Sequence, residues 1–538
     1  IYRLLASALL IFIYGLASCQ NVSWGPELKR KGKTIYEKAL ILPEGDLLLI
    51  QRKKNAWKQR WEPYLIKLSQ DRLTVRRDET VPLEYERNDL KYEDIYRIGV
   101  KLFIFSSFHN ISQRKNYLFA SELSTRSFKM RRLIRISDVS SDKNEATPFH
   151  IEFSPDSTKI GVVALYNSDK KGPVLKLTLM DNAFNYLYEK EHLLKSNQGE
   201  MSFDQLALSN DGTFYLLGKE RLGKSVFNSS EIYSYFVHRY NNIGHLDTIL
   251  RPDIKELKLS PEQREHFFIS EMRMDLRDDH LILGGLFSES GTSSSKGTLY
   301  YRYNLSSYEQ EVAYFDYFDY DALTAQLSQR GLRKARNAYE EMGVEGLPEI
   351  RNLKIVDFIK RSDGGLVFLT EQQENYVEYD RGSAFFFDPV WGYRYDPFMS
   401  ANDRIYYHHV FNDVFVVNVG SEGWIEWTAR VPKFQHTIND RGYYSSFTHF
   451  TIRDRLGIVF NEHPRNIGTD EQRYTYEGSG GVGKMSSVYL DGEVESTEIR
   501  PMPGNIQIVP SASRQIDINK ILLVGLGRKT IQVGILSI

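Results

Sequence analysis

Few residues in this 538-residue chain are spaced for chemistry, and each candidate fails on a specific point. Gly478 to Ser486 (GSGGVGKMS) has the glycines and lysine of a phosphate-binding loop. Met485 stands where a magnesium-binding hydroxyl is needed, and the flanks read as strands where the motif must open a helix. The stretch therefore reads as a hairpin loop. His408, His409, His436, His449 and His463 gather late in the chain, but adjacent strand residues point to opposite faces. His408 and His409 cannot easily share a metal, and no HExxH or cysteine-containing set is present. Asp316, Asp319 and Asp321 lie among tyrosines without the glycine and distal glutamate of a calcium loop, so helix capping by Asp319 or Asp321 is the plainer role. No GxSxG elbow occurs, and no carboxylate pair can be assigned to glycoside hydrolysis. The expectation is no catalytic residue, no metal and no cofactor. One segment is rich in contact-forming side chains, the aromatic run 384–398 (AFFFDPVWGYRYDPF). Trp391, Tyr393, Arg394 and Tyr395 have the side-chain types of interface hot spots, and the rings could instead stack on sugars or cover the fold as a local mini-core.

These residues need a scaffold, and composition indicates its class. Charges balance at 69 basic against 70 acidic, which argues against a nucleic-acid partner. The 34 Tyr, 30 Phe and 6 Trp favour strands. One unit recurs: an apolar strand, a tight Asp-, Asn- or Gly-containing turn, and a second apolar strand. Turns fall at positions 45, 99, 156, 211, 278, 363, 454 and 519. More polar strand pairs follow most copies, such as Tyr64 to Leu68 with Leu73 to Val75. Two inner apolar and two outer amphipathic strands make a propeller blade. The expected fold is an all-β propeller with eight four-stranded blades, or seven if two weak copies are misread. The last copy lacks an outer strand, which the segment between Ser23 and Lys33 could supply, sealing the ring.

Two insertions interrupt the repeats. Residues 319–346 carry helical spacing, with Gly331 as the expected break. Residues 371–404 hold the aromatic run. One insertion joins an outer to an inner strand and the other joins the second and third strands of a blade. Both connections emerge on one face, opposite the Asp/Gly turns, so a working surface is expected there.

The single cysteine, Cys19, follows the apolar run Leu4 to Leu16 and ends Leu16-Ala17-Ser18-Cys19. The run is short for a membrane span but suits a signal peptide. The tetrad resembles the lipobox of bacterial lipoproteins. That resemblance implies cleavage after residue 18, lipidation of Cys19 (diacylglycerol, with palmitate as a typical acyl group) and residence in the cell envelope. Gln20, rather than Asp, leans toward the outer membrane. With the blade repeats, the chain resembles the propeller lipoproteins of Gram-negative envelopes. The implied role is a non-enzymatic scaffold or accessory subunit of an envelope complex, partnering an outer-membrane barrel or a secretion or uptake assembly. A surface glycan- or peptide-binding propeller and a propeller hydrolase are the alternatives.

Overall fold

In a computed structural model, residues 19–538 are described except 33, 56–59, 87, 142–145, 169–171, 195–200, 225–230, 258, 292, 381–384, 389–391, 396–403, 469–473 and 505. All eight expected inner hairpins form. Thr34–Ile41 pairs with Leu47–Asn55, His150–Phe153 with Lys159–Ser168, and Arg514–Asp517 with Lys520–Leu526. Six sheets of four or five strands stand separately, each strand antiparallel to the next. They span residues 34–80, 91–140, 150–193, 201–250, 268–317 and 353–438. The chain is a β-propeller.

The number of separate blades corrects the expectation: six, rather than eight or seven. The last two repeats are hydrogen-bonded into one ten-stranded sheet. The cause is the strand Cys19–Trp24, which has two partners. Its first half runs parallel to Val494–Arg500, with Cys19 opposite Glu498. Its second half runs antiparallel to Thr530–Ser537, with Val22 opposite Leu536. Leu28–Lys29 extends the same edge against Ile531 and Thr530. The N-terminal segment thus supplies the missing outer strand, but starts earlier than expected and staples one repeat to the next. Trp24 Nε1 reinforces the seam by donating to Pro501 O at 2.6 Å.

Second strands are buried on both faces because neighbouring blades cover them, which explains continuous apolar runs such as Leu47 to Ile50. Outer strands face solvent: Tyr186, Leu187 and Leu193 of Tyr186–Leu193 are all exposed. Blades meet through aromatic rings laid on glycine. A Cβ on Gly161 would lie 2.5 Å from the Phe214 ring of the next blade, and one on Gly284 would lie 2.8 Å from Phe368. The Asp turns are braced by their own side chains. Asp156 accepts from Ser154 Oγ at 2.6 Å and from Thr158 N at 3.0 Å, and these donors hold its pKa below the ordinary carboxylate range. Its own amide donates to Asn210 Oδ1 at 3.0 Å, linking it to the next turn.

Several inner strands carry a one-residue bulge, with register shifts between Tyr36 and Lys38, Phe203 and Gln205, Ile269 and Glu271, and Ile355 and Asp357. A bulge breaks the strict alternation and re-aims the side chains that follow it.

Two stability effects follow. Gly161→Ala must displace Phe214 and is expected to cost about 1–3 kcal/mol, the usual range for overpacking, in urea unfolding. Deleting residues 19–29 uncovers two strand edges at once, so thermal unfolding should begin at a markedly lower temperature and the protein should aggregate on heating.

Candidate docking site on the insertion face

The 319–346 insertion folds as two helices, Tyr320–Thr324 and Gln329–Met342. The break lies between them at 325–328. Gly331, the expected break, sits in the first turn of the second helix, where its amide donates to the Ser328 N-cap at 3.3 Å. Asp319 caps the first helix by accepting from Ala322 N at 2.7 Å. Gln326, in the break, reaches the other insertion: its Nε2 donates to Asp413 Oδ2 at 2.7 Å and also to Gln372. The two insertions therefore touch.

The second insertion continues blade strands. Leu366–Asp380 and Arg404–Val419 pair as one hairpin, and only its base is flanked on both sides by blade strands. Eight further pairs, from Gln373–Phe411 to Asp380–Arg404, extend beyond the bulge at Glu371/Gln373. At ~3.3 Å per residue this arm is about 26 Å long. Gln435–Ile438 adds a third strand along one side, with His408 opposite Ile438 and Phe411 opposite Gln435. The other side, from Glu374 onward, pairs with no described strand.

A buried polar cluster sets the arm's root. Lys433 and Glu371 are fully buried and form an ion pair at 2.6 Å. Burial pushes the Lys433 pKa down, against the opposing pull of Glu371. Lys433 Nζ also donates to Phe411 O at 3.0 Å and Gln435 Oε1 at 3.2 Å. Glu371 accepts from Ser446 Oγ and Gln373 Nε2, both at 2.8 Å. Asp413, equally buried, accepts from Arg430 Nε at 2.9 Å and from the Lys433 amide at 3.0 Å. The cluster joins both arm strands, the helical insertion and the link to the next repeat. It is closed to solvent, so its work is to hold the arm in place.

Farther out, histidines lie on both faces of the arm. His408 Nδ1 is 2.9 Å from His436 Nε2, its Nε2 is 2.8 Å from Glu378, and its ring stacks on Tyr376 with centroids 4.5 Å apart. Burial, with His408 alongside, lowers the His436 pKa. His409 turns the other way, to Asn375 Oδ1 at 2.7 Å. The opposite orientations of His408 and His409 follow from strand alternation. The meeting of His408 with His436 was not legible, because it depends on a strand too short to recognise. No group of three among the described residues is placed to hold a metal ion.

Apolar side chains lie on both faces of the arm. Tyr376, Val377, Ile405, Tyr407 and Ile438 are 42–52% exposed. Strand pairing puts Val377 with Tyr407 on one face, and Tyr376 with His408 and Ile438 on the other. Tyr393, Arg394 and Tyr395 belong to a small hairpin, Phe385–Asp388 with Gly392–Tyr395, between the arm's two strands in the chain. Their side chains, and Trp391 entirely, lie outside the described residues, as does the Cys19 side chain. Residues 478–481 form a loop that enters the strand Val482–Tyr489, not a helix. No helix among the described residues is long and apolar enough to cross a membrane, which says nothing of a β-barrel.

A second clasp supports the face. Glu349 accepts from Ser288 Oγ at 2.9 Å, Glu289 N at 2.6 Å and Ser290 N at 3.0 Å, and from the Ser290 and Ser294 hydroxyls. Burial alone would raise its pKa, but these donors outweigh it and the net shift is downward.

No family model and no curated protein matches the chain. Solved structures similar to it include the polysaccharide lyase Uly1, at 10% identity over 96% of this chain and 99% of that one, with a TM-score of 0.37. The β-propeller domain of the Trilobed protease from Pyrococcus furiosus matches at 10% identity over 87% and 99%, with a TM-score of 0.34. A Penicillium chrysogenum alpha-L-arabinanase complexed with arabinobiose matches at 11% identity over 66% and 93%, with a TM-score of 0.32. At these scores the likenesses carry no argument about activity.

Lys433→Met leaves the Glu371 carboxylate buried without its cation and is expected to cost about 3–5 kcal/mol. Lys433→Met with Glu371→Leu should cost clearly less than the two single changes summed, as read by a urea double-mutant cycle. Glu349 has a folded pKa below its unfolded value of about 4.3. Its contribution is therefore full above that pH and is lost as pH falls through the folded value. Glu349→Gln should flatten the acid limb of the stability profile below about pH 4.3, measured by thermal unfolding across pH.

Proposed function

We propose that the chain is a non-enzymatic scaffold or accessory subunit of a bacterial envelope complex, held at the outer membrane by lipid on Cys19. The observation that carries the docking part is the arm: three strands projecting from the disc, apolar on both faces, with one edge that pairs with no described strand. Such an arm accepts a partner by strand addition along Glu374 to Glu378 and by covering Tyr376, Val377 and Tyr407. We read Trp391, Tyr393, Arg394 and Tyr395 as further contact residues. The fitting partner is an envelope protein that presents an extended segment, such as a barrel or a secretion or uptake assembly. We further read the ten-stranded sheet as two fused blades, giving eight in the ring.

The lipid part rests on the tetrad ending at Cys19. Cys19 is itself hydrogen-bonded strand, so a thioether there leaves the rim with no intervening linker. The disc would be confined near the bilayer, raising the effective concentration of its arm at a membrane partner.

Two experiments test this. Replacing 374–410 by a two-residue turn should keep the propeller folded but abolish co-isolation of a partner from gently solubilised envelopes. Reproducible recovery of the unaltered protein as a lone monomer contradicts the docking reading. Cys19→Ala should move the protein from the membrane to the soluble fraction and abolish palmitate labelling; unchanged membrane association contradicts the anchor.

A further inference from the structure

Four adjacent blades line an open cavity of about 310 Å³ beside the propeller axis. Its walls are the inner-strand segments Glu152 to Phe153, Gln205 to Leu208, Arg273 to Leu276, and Val356 to Phe358 with Lys360. The size falls in the usual range for small-molecule sites, roughly 300–1,000 Å³.

The charged groups on these walls are paired, with one exception. Asp357 meets the His449 imidazole at 3.1 Å and also feels the positive charge of Arg273. Lys360 meets Asp275 at 2.6 Å, and Asp275 also meets Arg277 at 2.8 Å. Arg273 lies 3.5 Å from Glu271 and donates to Ile355 O at 3.1 Å. The Gln205 amide bonds the Met274 backbone, donating to its carbonyl and accepting from its amide at 2.7 Å each. Glu152 differs. It accepts from the neighbouring Phe153 amide at 3.2 Å, and no cation among the described residues approaches it. A partly buried carboxylate without a counter-charge is costly, and it creates an attractive potential for a cation entering the cavity. Aromatic faces stand close by. Phe153 and Phe358 line the cavity, and Tyr96 packs on Phe153 with ring centroids 4.8 Å apart. Aromatic faces favour organic cations.

We propose that this axial cavity binds a small organic ammonium ion, with Glu152 as its counter-ion and the neighbouring aromatic rings against its carbon skeleton. The ammonium replaces the missing partner of Glu152, while the paired wall charges stay as they are. The site is separate from the arm and needs no partner protein. A linear diamine and an amino sugar share the recognised group, and the experiment distinguishes them.

The test is calorimetric titration of the purified chain with putrescine, glucosamine and N-acetylglucosamine, the last lacking the ammonium charge. Saturable binding of putrescine or glucosamine is expected, and whichever binds more tightly identifies the source. N-acetylglucosamine should show none. Glu152→Gln should weaken the tighter amine at least tenfold. Ala207→Leu, which narrows the cavity without touching the charge, should weaken it as well. The proposal is overturned if neither amine saturates, if the neutral sugar binds equally, or if both variants bind like the unaltered protein.

Discussion

A ring of radially packed sheets must bring its first and last members together, and here the six-residue strand Cys19–Trp24 is the main element of the seam. Cys19–Trp24 is the constraint on which the rest depends, because it satisfies two otherwise open edges. A closing strand in an ordinary propeller completes one blade. This one also runs parallel along the previous repeat and merges two repeats into one sheet. Inter-blade contacts such as Phe214 on Gly161 then carry the core from one blade to the next.

With the ring closed, the insertion face is a fixed platform. Lys433 and Glu371 sit where the arm leaves its blade, and Asp413 brings in the helical insertion through Gln326. A buried pair of this kind contributes little net stability beside an apolar substitute, but removing one partner is costly. It therefore commits the arm to one orientation. The consequence is a projecting surface whose direction is set by buried electrostatics and whose outer part presents rings and aliphatic side chains to solvent.

The inner hairpins were legible because each turn chemistry sits between two apolar runs, as in Ser154 to Lys159 and Ser209 to Thr213. The sealing role of the N-terminal segment was legible from the missing outer strand of the last repeat. The fusion of the last repeats was not, since nothing in Cys-Gln-Asn-Val-Ser-Trp signals a strand with two partners. The helix break was misplaced because Gly331 looks like a breaker, while the stronger signal was Ser328, an N-cap that fits the second helix. The bulges at Glu37, Asp204 and Val356 were invisible, because one inserted residue erases the alternation that reveals a strand. In the sequence the arm shows only as an aromatic insertion; its strands do not separate from loop because the flanks of 384–398 mix charged and aromatic residues. The Lys433–Glu371 pair lies 62 positions apart in a chain with many lysines and glutamates, so only the fold could bring it to notice.

With the lipid proposed at Cys19, the closed ring and the oriented arm would present a surface at a membrane. The most direct test is amide hydrogen exchange of the protein in isolated envelopes against the purified chain. The account predicts new protection at Glu374 to Glu378 and Ile405 to His409 in the envelope, with blade amides unchanged. Identical exchange of the arm in both states would contradict it.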